Sequence, residues 1–116
     1  MKSASSFKHV VCIAITILLL GSLLCAAETS HPLRFFVSLD GNDTWSGTLE
    51  RPSSYGADGP FRSLEAARNA IRNLPQGQRH QQPVEICMLP GTYLREKPLV
   101  LDARDSGTKT APVIYR

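Results

Sequence analysis

Cysteine is scarce in this chain. Cys12, Cys25 and Cys87 are its three cysteines in 116 residues. The first two lie in an apolar leader. If that leader is removed, Cys87 is alone, and the remainder can form no intramolecular disulfide. A strong charge of either sign is also missing. The formal net charge of +3 includes Lys2 and Lys8 of the leader, and beyond it eleven basic residues face ten acidic ones. The basic residues are scattered and not interleaved with aromatics, which excludes a phosphate-tracking nucleic-acid surface. Aromatics are 7% of the chain, with a single tryptophan, and glycine and proline number eight each. The composition is neither collagenous nor of low complexity. The length allows one small domain at most.

What is present begins with an address. Lys2 and Lys8 form a positive start, Val10 to Leu24 is an uncharged apolar run, and Cys25-Ala26-Ala27 ends it with small residues. This is the pattern of a signal peptide over residues 1–27, cleaved near Ala27. The expected destination is the periplasm, the cell surface or the medium. Two other readings use the same residues: an uncleaved membrane anchor over 10–27, which is short for a span, and a lipoprotein anchored at Cys25, although bulky Leu24 precedes it. An exported remnant of 89 residues with no disulfide must rest on its core alone, which is marginal at that size. The expectation is that the chain belongs to something longer.

Residues 28–33 read as a polar connector. A first strand is expected at Phe35 to Leu39, with Phe35, Val37 and Leu39 on one face. From Asp40-Gly41 to Pro60 the sequence is rich in turn formers. A loop of about 20 residues in a compact domain is either functional or tied down by its own contacts. Trp45 and Tyr55 are the expected anchors. The helix signal is the clearest: Ser63 as N-cap, Glu65 in the first turn, and Leu64, Ala67, Ile71 and Leu74 on one face, with Pro75 and Gly77 as stops. Gln76 to Gln82 reads as a polar loop. Further strands are expected at Val84–Leu89, at Pro98–Leu101 and from Ala111 to Tyr115, with Thr92-Tyr93-Leu94 extended after the Pro90-Gly91 turn and a polar loop over 102–110.

The order Phe35-Phe36-Val37-Ser38-Leu39-Asp40-Gly41-Asn42-Asp43, Trp45-Ser46-Gly47, Asp58-Gly59-Pro60-Phe61-Arg62-Ser63-Leu64-Glu65-Ala66-Ala67-Arg68, Val84-Glu85-Ile86 leading to Leu89-Pro90-Gly91-Thr92-Tyr93, Pro98-Leu99-Val100-Leu101, Asp105-Ser106-Gly107-Thr108 and Ala111-Pro112-Val113-Ile114-Tyr115-Arg116 resembles the N-terminal part of secreted right-handed parallel β-helix proteins of the pectate-lyase-like superfamily. The resemblance implies a mainly β fold with one capping α-helix, in which residues 34–116 form the cap and first coil of a right-handed solenoid that is truncated here. It implies a polysaccharide as substrate or ligand and further C-terminal coils as packing partner. Full members act as polysaccharide lyases or glycoside hydrolases through residues on later coils, so no catalytic residue carries over. A free-standing, non-catalytic glycan- or partner-binding module is the alternative.

Several residues invite a chemical reading. Asp40, Asn42 and Asp43, with Ser46 beside them, put oxygens into a tight loop and form a candidate Ca²⁺ site, the one cofactor expectation. The competing expectation is that these side chains hold their own turn. Asn42-Asp43-Thr44 is an N-glycosylation pattern. The pairs Asp102/Asp105 and Asp40/Asp43 have the composition of a glycosidase acid and base but not a catalytic pattern. Cys87 has no adjacent base, and His31 and His80 make no metal spacing with it. Trp45 is the candidate substrate-binding residue, with Tyr55 and Tyr93 as companions for stacking on a sugar. Its other expected role is to anchor the loop.

Overall fold

A computed structural model describes residues 30–116. The leader, the cleavage position near Ala27 and the candidate anchor over 10–27 lie outside the described residues. Among those described, no helix is long and apolar enough to cross a membrane.

Three strands form one parallel sheet in the order β1-β2-β3: β1 Leu33–Val37, β2 Val84–Met88 and β3 Val113–Tyr115. The register is direct, with Leu33 opposite Val84 and Val84 opposite Val113, and with Phe35 opposite Ile86 and Ile86 opposite Tyr115. Period-two alternation therefore stacks like faces. Phe35, Val37, Val84 and Ile86 are buried in one core with Phe61, Ala67 and Ile71. Arg34, Glu85 and Ile114 share the other face. There Glu85 accepts from Arg34 Nε at 2.9 Å and from Arg116 at 2.7 Å.

The helix α1, Leu64–Arg72, follows its sequence signals. Ser63 is its N-cap, accepting from the Ala66 amide, and Asn73 is its C-cap. Ala67 and Ile71 are fully buried, while Leu64, Ala66, Ala70 and Leu74 pack partly against the same core. Alanines at the contact let the helix lie close to the strands. Arg68 and Arg72 tether it to the far segment: Arg68 donates to the Val100 carbonyl at 2.8 Å, and Arg72 grips Asp105 with two nitrogens.

The structure corrects several expectations. The first strand starts at Leu33 and stops at Val37. It stops because Ser38 opens a turn, accepting from the Asp40 amide with its hydroxyl and from the Gly41 amide with its carbonyl. Leu39 is consequently turned out and 37% exposed. The polar loop after Pro75 contains a second, one-turn helix, α2 Gln76–Arg79. Pro75 ends α1 but its carbonyl then accepts from Gln78 and Arg79, and Gly77 is tolerated in a single exposed turn. Pro98–Leu101 is not a strand, although its residues favour one. A strand is a paired object, and this segment has no strand partner among the described residues. Val100 and Leu101 remain exposed, and Arg68 takes the Val100 carbonyl. Thr92–Leu94 likewise forms no ladder. The expected loop over 102–110 instead opens with a 3₁₀ turn, Ala103–Asp105, closed by a capping box between Asp102 and Asp105.

Candidate functional site

The oxygen-rich loop between β1 and α1 is where most of the candidate chemistry falls. Most of its candidate polar side chains are hydrogen-bonded to the loop's own backbone or to the start of α1. Asn42 Oδ1 accepts from the Thr44 amide at 2.9 Å and from the Thr44 hydroxyl at 2.8 Å, forming a closed Asx-turn. Asp43 reaches the start of α1. Its Oδ1 accepts from the Arg62 and Ser63 amides, both at 2.8 Å, and its Oδ2 accepts from the Ser63 hydroxyl at 2.8 Å. These amides belong to the end of the helix where unpaired donors and positive dipole gather. Asp43 thus supports the N-cap from a position twenty residues away. Asp40 is exposed. Among the described residues, no group of three or more His, Cys, Asp or Glu side chains is placed to hold a metal ion.

Asp58 performs a second closure that the sequence did not flag. Its Oδ1 accepts from the Ser46 and Gly59 amides at 2.7 and 2.9 Å, and its Oδ2 from the Ser46 hydroxyl at 2.8 Å. Those bonds, the Ser46 amide first, hold its carboxyl below the usual range. Trp45 is half-buried in the same loop. Its ring lies so close to Gly59 that a Cβ there would sit 2.6 Å from the ring carbons, and Pro52 is the next contact. Trp45 therefore anchors the loop. Tyr55 does not: it is 97% exposed at the loop tip, which corrects the expectation that it would be a second anchor. The tip turns through Gly56 at φ +63, and a Cβ there would meet nothing within 4 Å, so this part of the loop stands clear of the core. Tyr93 is committed elsewhere. Its hydroxyl donates to the Leu89 carbonyl at 2.7 Å and sits 3.1 Å from the Val37 carbonyl. The three aromatics thus occupy three different settings.

The Asp102/Asp105 pair is built into ion pairs. Asp105 is 7% exposed, and it holds Arg72 through Nε at 2.7 Å and also accepts from the Asp102 amide at 2.7 Å. Asp102 holds Arg104 at 2.7 Å and, more loosely, Arg72 at 3.3 Å. The arginine hydrogen bonds keep both carboxyls well below the ordinary aspartate range. A glycosidase acid needs the opposite shift. Glu65 is lowered in the same way by Arg95. Cys87 is a free thiol, half-buried on β2, and Arg116 lies against it and Glu85. His31 and His80 are both exposed. The Tyr115 hydroxyl is buried with no hydrogen-bond partner among the described residues, and burial pushes its pKa up.

A groove of about 530 Å³ lies between the first turn of α1 and the segment after Gly91, lined by Leu39, Arg62, Glu65, Tyr93, Arg95 and Lys97 among others. Arg95 is neutralised there by Glu65. The groove presents mixed charge with no convergent acid and base.

The two edges of the sheet differ. On the outer side of β1, the Phe36 amide donates to the Gly47 carbonyl at 2.7 Å, the Phe61 amide to the Phe36 carbonyl at 2.8 Å, and the Ser38 amide to the Phe61 carbonyl at 2.9 Å. Phe61 thereby forms a parallel bridge with Val37. The loop has sealed this edge with its own backbone. On the β3 side, Pro112 and Arg116 bond to β2. Alternation along a ladder then turns the backbone groups of Val113 and Tyr115 outward, and they have no partner among the described residues.

The chain is similar to a solved glycoside hydrolase. The likeness carries 27% sequence identity and a TM-score of 0.57, over 71% of this chain and 13% of that one. No family model and no curated protein matches the chain.

Proposed function

We propose that this chain is the N-terminal part of an exported parallel β-helix protein that acts on or binds polysaccharide, and that its own task is to close one end of the solenoid. The observation that supports this is the asymmetry of the sheet. The outer edge of β1 is bonded to Gly47 and Phe61, whereas the β3 edge keeps donors and acceptors that have no partner among the described residues. An open strand edge templates further strands, and a sealed one prevents them. A segment with one edge of each kind is suited to ending a stack on one side and continuing it on the other. The polysaccharide reading rests on the glycoside hydrolase likeness. This chain spans 13% of that protein's length, so the reading places no catalysis in it, and the ion-paired Asp102 and Asp105 serve the fold. Ca²⁺ at Asp40, Asn42 and Asp43, and sugar contact at Trp45, are subordinate parts of the reading. Calcium would compete with the bonds that Asn42 and Asp43 already make, and a sugar would compete with the packing of Trp45 on Gly59.

The test uses this chain and a Val113→Pro variant. The Val113 amide is not used in pairing with β2, so proline removes an outward donor without removing a β2–β3 bond, and circular dichroism of the variant checks that Gly107, which lies close to that amide, accommodates the ring. Sedimentation velocity is expected to show concentration-dependent association of the parent chain and a shift toward monomer in the variant. A parent chain that stays monomeric at every concentration and unfolds cooperatively would refute the capping role.

A further inference from the structure

We draw no further inference here: the strongest candidate, the open groove between the first turn of α1 and the segment after Gly91, holds an Arg95 already neutralised by Glu65, and nothing in the structure shows what covers it.

Discussion

Replacing Asp43 by alanine separates a helix lock from a metal ligand. The carboxylate accepts three hydrogen bonds at 2.8 Å, two from amides at the start of α1 and one from the Ser63 hydroxyl. Ser63 keeps its own bond to the Ala66 amide at 3.2 Å, so the helix retains a cap when Asp43 is lost. The Arg62 and Ser63 amides are exposed enough for water to replace the carboxylate. The loss is then that of a capping acceptor, about 0.5–2 kcal/mol, plus a charge–dipole contribution of about 0.3–1 kcal/mol. We expect a total near 2 kcal/mol. For a domain of this size each kcal/mol moves the midpoint by about 4–8 °C, so Asp43→Ala should lower it by roughly 8–16 °C. Asp43→Asn keeps one acceptor for the two amides and loses the charge, and about half the effect should remain.

The measurement is thermal unfolding of the full chain with EDTA and with millimolar CaCl₂, together with amide hydrogen exchange. A ligand that binds the folded state raises its stability by an amount set by concentration over Kd. If Asp43 acted through calcium, the parent chain would gain stability in CaCl₂ and the variant would lose that gain. The structure instead leads us to expect the same loss in EDTA and in calcium, with faster exchange at the Arg62 and Ser63 amides. A variant within 2 °C of its parent, with unchanged exchange at those amides, would sink the argument. A loss confined to calcium would reassign Asp43 as a ligand.

Acid should weaken the fold through Asp105 and Asp102. Their folded pKa values are depressed by Arg72 and Arg104, so their contribution is present above the unfolded value near pH 4 and is lost as pH falls below it; Asp105→Asn should flatten this acid limb while lowering stability at pH 7, read from urea midpoints across pH. Gly47→Ala and Gly56→Ala form a contrast, since both positions have positive φ, but a Cβ at Gly47 would sit 2.1 Å from the Phe61 ring and one at Gly56 would meet nothing within 4 Å. Chemical denaturation should therefore show about 1–2 kcal/mol lost at Gly56 from the left-handed backbone, and a further 1–3 kcal/mol or so at Gly47 from overpacking; equal losses would disprove the Phe61 contact. Trp45→Ala should destabilise by roughly 2–4 kcal/mol, while Tyr55→Ala stays within about 0.5 kcal/mol. Affinity electrophoresis in polysaccharide gels tests the competing role of Trp45, because retention lost without a stability change would make it a sugar contact.

Local signals were legible in the sequence and distant ones were not. The α1 helix was readable because its cap, dipole partner and apolar face all lie within a few residues of Ser63. The β2 and β3 strands were readable because alternation from Val84 and from Val113 is local too. Pro98–Leu101 has the same local signal and formed no strand, because pairing depends on a partner that composition cannot supply. The loop shows the harder limit. Read along the chain, the Asp, Asn and Ser between Asp40 and Ser46 fit either a metal cradle or side chains that hold their own turn. In space Asn42 holds its own turn through Thr44, as the competing expectation had it, while Asp43 is directed at the distant Arg62 and Ser63 amides and Asp58 back at Ser46. Phe61, unremarkable in sequence, turns out to be the residue on which the loop converges. Its ring packs on Phe35 with centroids 6.0 Å apart, its backbone seals β1, and Gly47 must remain without a side chain to admit it. The loop therefore works as a backbone cover for one sheet edge, clasped at each end by an aspartate, and the excess of oxygen atoms reflects how many amides such a cover leaves to be satisfied.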